Sequence, residues 1–476
     1  MKDLKALFGN KKILILGLGL NQGGVGAAKF FVQNGARVKV TDLKDKLVLQ
    51  PSIDKLKDFP NIEYVLGQHR YEDLDWADLI IRNPALKPDN PYLKYAKEKS
   101  KQVETDMGIF LQFIKQQQII GVTGTKGKST TASLIYEVLK DSGKNVILAG
   151  NIGSSVLELI ITMQKSILTP LGWQAKLKET LIILELSSFQ LSAFGEHKVS
   201  PKWAVITNIF PDHLNYYSSI EAYIQDKRYI AQFQKENDFL FLKKGDEITS
   251  DPQFLQDLKG QINYFSASNL PKNFHPKLLG EHNLENMAAA LAVSKTLFGS
   301  GTQVDVLRAL ENFARVEFRL QLIYDKNDIK IYNDSTSTMP ESTRQAVTSL
   351  PNSILICGGM NKNLDYTDFA KAIDQNVKSV YFLEGDATDL IKKYLSEIAS
   401  SQTPRNDVIA SEARQSSQDK IKGTYSDLEK LLTDVKAVTK PGDIILFSPG
   451  ATSFNLFQNE FDRARQFNAA VEKVFG

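Results

Sequence analysis

The sequence predicts an α/β protein of three domains, and three observations lead there. Short apolar runs alternate with helix-like stretches along most of the 476 residues, the pattern of parallel sheets with right-handed helical crossovers. A glycine-rich segment, Gly121-Val-Thr-Gly-Thr-Lys-Gly-Lys-Ser-Thr130, stands between a buried strand and a helix. Near residue 315 the alternation restarts, and the length suits two to four domains, each with its own core. The divisions expected are 1–105, 106–315 and 316–476.

In the first domain Lys12–Leu16 reads as a buried strand, Gly24–Asn34 as a helix, and Arg37–Val40 as a second strand ending at Thr41-Asp42. Short strands fit Glu63–Leu66 and Asp78–Ile81. Gly17-Leu18-Gly19 followed by Gly23, Gly24 and Gly26 is similar to a dinucleotide fingerprint, with Asp42 where a ribose-binding acid would stand. A nucleotide or nucleotide-sugar site and plain tight-turn packing both fit this pattern.

The chain enters the central domain around Glu104-Thr105-Asp106. Strands at Ile119–Val122, Val146–Leu148, Thr180–Glu185, Trp203–Ile206 and Phe239–Leu242 fit one parallel sheet. The polar stretch Gln164–Glu179 reads as a surface insertion. In the third domain, strands at Lys330–Tyr332, Ser353–Ile356, Ser379–Phe382 and Asp443–Phe447 suggest another doubly wound unit. Ser400–Lys422, rich in Ser, Gln and charge, reads as a second insertion or a disordered segment.

Composition excludes several classes. Lys+Arg 58 against Asp+Glu 55 gives a net charge of +3 without a basic tract, so no nucleic-acid partner is expected. The lone Cys357 rules out a disulfide framework and a multi-cysteine metal site. No run of about 18 apolar residues exists and the amino terminus is not a signal peptide. A soluble, cytoplasmic protein with no membrane insertion is expected.

The chemistry concentrates after strands. Small residues in Gly124–Gly127 let backbone N–H groups converge on an anion, and the following helix start adds partial positive charge. Lys128 would reach the terminal phosphates and the Ser129 hydroxyl would sit on Mg²⁺. Glu185 ends a continuous apolar strand, Leu181–Leu184. A buried carboxylate there needs a cation, and Mg²⁺ prefers oxygen ligands. His213, in Thr207-Asn-Ile-Phe-Pro-Asp-His-Leu214, follows another strand of that sheet, where ligands bind in such folds. From spacing alone, Lys227 reads as a solvated lysine. Asn283 and Asn286 share one helical face and offer paired donors and acceptors suited to adenine; N-capping by Asn283 is compatible with the same pattern. Arg319 from a separate domain has the logic of an arginine finger. The Asn333-Asp334-Ser335, Gly358–Lys362 and Ser448–Ser453 segments follow strands and would hold a small substrate.

In this order, from Leu16-Gly17-Leu18-Gly19 to Phe467, the motifs resemble the Mur ligases of bacterial peptidoglycan synthesis. The phosphate loop and Gly280-Glu-His-Asn-Leu-Glu-Asn286 are common to all Mur ligases and to folylpolyglutamate synthases. Glu185-Leu-Ser-Ser-Phe-Gln-Leu191 and Ser448-Pro-Gly-Ala-Thr-Ser-Phe454 are closer to the branch that adds D-glutamate. The resemblance implies the three-domain Mur ligase architecture: a Rossmann-like amino-terminal domain, a central phosphate-loop domain and a Rossmann-like carboxy-terminal domain. It implies ATP-driven amide formation with D-glutamate on UDP-N-acetylmuramoyl-L-alanine, by a monomer.

Residue by residue, the resemblance carries over as follows. Gly124, Thr125, Lys126, Gly127, Lys128, Ser129 and Thr130 would cradle ATP, with Asn283, Asn286, Arg319 and Asp334 completing its site. Ser129, Glu185, His213 and Lys227 would serve two Mg²⁺ ions, Lys227 after conversion by CO₂ to a carbamate. Lys128, Glu185, His213, Lys227 and Arg319 would carry catalysis. Leu18, Asp42, Asn83, Asn151 and Ser187 would contact the UDP substrate, and Thr338, Lys362, Ser453 and Phe461 D-glutamate. The chain departs from the usual family pattern at Lys126, Phe318, Gln321, Thr336, the Asn83–Leu86 segment and Glu460.

Overall fold

A computed structural model describes residues 4–20, 22–151, 155–165, 180–213, 216–278, 280–299, 303–313, 318–361, 364–401, 419–453 and 455–476. Lys362 and most of the two expected insertions lie outside the described residues. The flanks of the second insertion are structured: a helix runs through Asp386–Ser401 and a strand begins at Ile421.

The first sheet holds β1 (Lys12–Leu16), β2 (Arg37–Asp42), β3 (Glu63–Leu66), β4 (Leu79–Arg82) and β5 (Gln102–Glu104). Its order is β3-β2-β1-β4-β5, parallel throughout. The second holds β6 (Ile119–Thr123), β7 (Val146–Gly150), β8 (Leu181–Glu185), β9 (Trp203–Ile206), β10 (Phe239–Lys243) and β11 (Gln261–Phe265), in the parallel order β11-β10-β9-β6-β8-β7. β6 is buried along its whole length, as expected of a central strand read as a continuous apolar run. Its neighbours are β8 and β9. The phosphate loop, Glu185 and the Thr207–His213 loop therefore leave the carboxyl ends of three adjacent strands, where a parallel sheet opens a crevice.

The third sheet contains β12 (Gln321–Lys326), β13 (Ile329–Asn333), β14 (Ser353–Gly358), β15 (Val377–Leu383), β16 (Ile421–Tyr425) and β17 (Ile444–Phe447), in the order β12-β13-β17-β14-β15-β16. It is mixed: β12 runs antiparallel to β13, and the other pairs are parallel. The reason is local. Asn327 and Asp328 both have positive φ, 55° and 58°, the backbone of a two-residue hairpin turn that Asn and Asp tolerate. That hairpin adds an edge strand without a helical crossover.

The chain divides into two compact units, Met1–His275 with Glu281–Leu310, and Pro276–Gly280 with Glu311–Gly476. Within the first unit a single apolar cluster joins both sheets, from Ile13 and Ile15 to Ile182 and Leu184. Here the helices Gln22–Gln33 and Val156–Lys165 meet: Lys29 pairs with Glu158 at 2.8 Å, and the Ser155 side chain lies where Gly26 would carry a Cβ. Truncating one of these buried side chains to alanine costs roughly 2–5 kcal/mol. Cys357, fully buried in β14, has its thiol pushed up by burial, as suits an inert core filler.

Candidate active site

The helix Lys128–Asp141 starts directly behind the loop, with Gly127 as its first cap at φ 83°. A Cβ at Gly127 would strike the Asn286 side chain, and one at Gly124 (φ 145°) would strike Thr207. Glycine is required at both for conformation and for space. The loop is pinned from β9's side. The Thr125 amide donates to the Asn208 carbonyl (2.9 Å) and the Lys126 amide to Asn208 Oδ1 (2.9 Å). The Thr125 hydroxyl donates to the Phe210 carbonyl at 3.0 Å and lies 3.0 Å from the Tyr223 hydroxyl.

Two lysines converge on this loop. Lys128 Nζ donates to the carbonyls of Gly124 and Thr125, both at 3.0 Å. Lys227, on the helix Ile220–Gln232, donates to the same Gly124 carbonyl at 2.8 Å with its ammonium over the Tyr223 ring. The side chain is 2 % exposed, so the reading of a solvated lysine is corrected. The helix turns this residue inward, one turn after the buried Tyr223. Burial, and then the positive Lys128, push the Lys227 amine well below the usual lysine range. Lys227 has no ion pair among the described residues.

Glu185, buried at the end of β8, accepts from Asn151 Nδ2 at 3.0 Å through Oε1; its Oε2 is buried with no hydrogen-bond partner. An orphaned carboxylate oxygen is costly unless a cation meets it. His213 follows on the neighbouring loop, in the left-handed region at φ 56°, with its ring edge-on to Phe189 (5.1 Å). Its imidazole is 46 % exposed and 3.8 Å from Asp212. Among the described residues no three His, Cys, Asp or Glu side chains gather as a metal site.

Asn283 and Asn286 are buried, and their amides bond each other at 3.1 Å. The Thr131 hydroxyl donates to Asn286 Oδ1 at 3.1 Å. The pair thus braces the phosphate-loop helix. Ser187 caps the helix Ser188–His197 in a reciprocal capping box with Gln190. Beside the first sheet, Leu18 is fully buried in the core. The Asp42 carboxylate accepts from the Gly19 and Lys44 amides, each at 2.9 Å. Asn83 packs on Gly17 and accepts from the Ala85 amide at 3.0 Å. Tyr216 bridges from the His213 loop, donating to the Leu86 carbonyl at 3.2 Å.

The second unit gathers the rest. Asp334 is buried, accepting from the Leu320 amide (3.0 Å) and the Ser448 hydroxyl (2.6 Å); burial holds its carboxyl above the usual range against the hydrogen bonds of Ser337 and Ser448. Arg319 is flanked by Phe318 and Leu320, both with positive φ. Thr338 is half-buried ahead of the helix Pro340–Ser349. Phe461, 40 % exposed, stands edge-on to Phe318 at 6.5 Å. Ser453 is buried and accepts from Arg463 Nη1 at 2.6 Å. Sequence reading missed three residues here. Asn208 and Tyr223 latch the phosphate loop, and Tyr223 was legible as the residue four before Lys227. Arg463, in a charged helical run, gave no signal.

A phosphate loop at the centre of a parallel sheet, flanked by a buried carboxylate and a buried amine, defines a class: phosphate-loop α/β proteins with satellite doubly wound domains. Family models narrow it. "Mur ligase MurD-like, N-terminal domain" matches residues 11–105, "Mur ligase middle domain" 122–270, and "Mur ligase, glutamate ligase domain" 318–450. A UDP-N-acetylmuramoylalanine--D-glutamate ligase from Roseiflexus sp. (strain RS-1) is 33 % identical, with 97 % of this chain and 98 % of the relative covered. One of the same name from Borreliella afzelii (strain PKo) is 35 % identical, with 98 % of each covered. Among solved structures, the UDP-N-acetylmuramate-alanine ligase of Thermotoga maritima superposes with a TM-score of 0.60 at 19 % identity, covering 97 % of this chain and 99 % of that one. The chain belongs to the Mur ligase family.

Proposed function

We propose that this protein is an ATP-dependent amide ligase that joins D-glutamate to UDP-N-acetylmuramoyl-L-alanine in peptidoglycan precursor synthesis. The observation that carries the reading is the phosphate loop with two lysines on the Gly124 carbonyl, in a chain whose full-length relatives are named for that activity. ATP occupies the loop Gly124–Thr130. A Mur ligase of the same fold, from Thermotoga maritima, is solved in complex with ADP (TM-score 0.55, 17 % identity, 99 % of this chain and 100 % of that one).

The donor set suits Mg²⁺: Glu185 Oε2 is buried without a partner, and hard oxygen ligands are what Mg²⁺ takes. Ser129 and Glu185 would hold one ion and His213 with a modified Lys227 a second; bound Mg²⁺ supplies charge neutralisation on phosphoryl oxygens. An uncharged amine is the form that adds CO₂, and the environment of Lys227 favours that form, which supports a carbamate there.

In the reaction, the terminal alanine carboxylate attacks the γ-phosphorus, giving an acyl phosphate and ADP. The neutral amine of D-glutamate then attacks the carbonyl and phosphate leaves. Lys128 and Arg319 stabilise the charge that builds on phosphoryl oxygens, the kind of preorganised term that dominates such steps. Asn283 and Asn286 serve adenine and Asp334 the nucleotide. Leu18, Asp42, Asn83, Asn151 and Ser187 serve the UDP substrate; Thr338, Lys362, Ser453 and Phe461 serve D-glutamate. The domain limits 1–105, 106–315 and 316–476, a cytoplasmic location and a monomeric state complete the reading. Among the described residues no helix is long and apolar enough to cross a membrane.

The test is phosphate release from ATP with Mg²⁺ and UDP-N-acetylmuramoyl-L-alanine, offering D-glutamate, L-glutamate, glycine, L-alanine and L-lysine in turn. Amide product with D-glutamate alone is expected. Preference for another amino acid would keep the ligase and move the acceptor; no turnover with any would overturn the reading.

A further inference from the structure

The helix Ser188–His197 starts beside Glu185 and ends on the first sheet. Its cap, Ser187, stands two residues after Glu185, and ten helical residues follow, a span of about 15 Å. At the far end two consecutive side chains each reach a strand end of the first sheet. Glu196 Oε1 accepts from Arg82 Nη2 at 3.0 Å, at the end of β4. His197 Nε2 lies 3.2 Å from Glu104 Oε2, at the end of β5. β4 and β5 are hydrogen-bonded neighbours, so the two contacts form one clasp. Arg82 is followed directly by Asn83, which packs on Gly17.

Two glycines make room for this helix end. Gly108 is buried in the helix Asp106–Leu111. A Cβ there would come within 2.2 Å of Glu104 Oε2 and 2.9 Å of His197 Nε2. Gly195, near the end of the clasped helix, would carry a Cβ 2.7 Å from the Tyr229 ring. Tyr229 lies on the helix Ile220–Gln232, which also carries Lys227. Neither glycine has positive φ, so space alone requires them. Glycine inside a helix lowers stability, and ion pairs with a half-exposed partner such as Glu196 add little. Stability therefore does not account for the arrangement; placement does.

We infer that Arg82, Glu104, Glu196 and His197, with the bare flank of Gly108, form a positioning clasp between the two sheets of the first unit. It fixes the Asn83 end of the first sheet against Glu185 and Lys227, so that a substrate reaching across both is held in register with the phosphate loop. This rests on the proposed ligase reading, in which one substrate spans the two sheets. Misplacing reacting groups by about 1 Å costs on the order of a hundredfold in rate, so a loosened clasp acts without touching the substrate.

The test is a charge swap in the full-length enzyme. Arg82→Glu and Glu196→Arg should each lower kcat/KM for UDP-N-acetylmuramoyl-L-alanine by about tenfold or more, with ATP affinity, read by calorimetry, unchanged. The double swap should return to within about threefold of wild type. A swap no better than Arg82→Glu would mean that Arg82 acts other than through Glu196, and would overturn the inference. So would single variants that keep full kcat/KM and lose only melting temperature. Gly108→Ala, which parts Glu104 from His197, should give the same kinetic signature; should it not fold, the swap decides alone. Hydrogen exchange along Ser188–His197 separates this inference from the ligase reading. It should quicken in the single variants and recover in the swap, whether or not the substrate is turned over. Absent turnover in the wild type would revise the ligase reading, whereas unchanged exchange in the single variants would overturn the clasp.

Discussion

Lys227 in the first unit and Arg463 in the second are both buried basic side chains with no carboxylate at ion-pair distance among the described residues, yet their surroundings are opposite. Lys227 has one acceptor, the Gly124 carbonyl, which it shares with Lys128. Arg463 has four, from two chain segments. The first amine is therefore under strong pressure to lose its proton; the second charge is solvated by protein and kept. Near Lys227 the bonding demand is incompletely met, as it is at Glu185 Oε2, which is buried without a partner. Around Arg463 it is closed by four protein acceptors. One region is built to change state, the other to stay fixed.

The sharpest way to break that contrast is to remove each charge. Lys227→Met should cost at least about a thousandfold in turnover, roughly 4 kcal/mol, while leaving the melting temperature unchanged or higher. The sign follows from linkage: an amine depressed on folding takes up protons more readily when unfolded, so stability rises with pH toward its ordinary value of 10.5 and is reduced at neutral pH. A lower melting temperature would contradict it. Arg463→Met should do the reverse, stranding several acceptors and lowering stability by about 2–4 kcal/mol in a denaturant titration; an unchanged midpoint would show that its bonds are replaceable.

A smaller effect sharpens the first region. Asp226, beside Lys227, accepts from the Tyr217 hydroxyl at 2.8 Å, with Arg82, Glu196 and Lys227 as its charged neighbours. Burial raises its carboxyl from 3.8 to about 6. The folded state holds that proton longer than the unfolded one, so stability should fall as pH climbs through this window and stay lower above it. Asp226→Asn should flatten that slope and gain on the order of 2 kcal/mol at pH 8; parallel curves for the two proteins would refute the assignment. Smallest, Gly127→Ala places a Cβ at φ 83° against Asn286, a strain of about 1–2 kcal/mol expected as a roughly tenfold weaker KM for ATP.

The same contrast explains what could be read in advance. Strand positions followed from apolar runs, and the phosphate loop from contiguous residues. Lys227 was visible only through family resemblance, since helical spacing does not reveal which face a neighbouring loop covers. β5, β11, β12 and β16 escaped because they are half-exposed and polar, with burial patterns that lack a clean apolar run. Arg463 sits at the foot of a helix beside Glu460 and Asp462, indistinguishable by sequence from a solvated charge. Its role depends on loops more than a hundred residues away, at Ser335.

The central claim is that ATP activates a carboxylate. The direct test places a heavy-oxygen label in the alanine carboxylate of UDP-N-acetylmuramoyl-L-alanine and analyses the phosphate released with D-glutamate. Attack of the carboxylate on the γ-phosphorus predicts one labelled oxygen in each phosphate. Unlabelled phosphate alongside amide product would contradict the acyl-phosphate route.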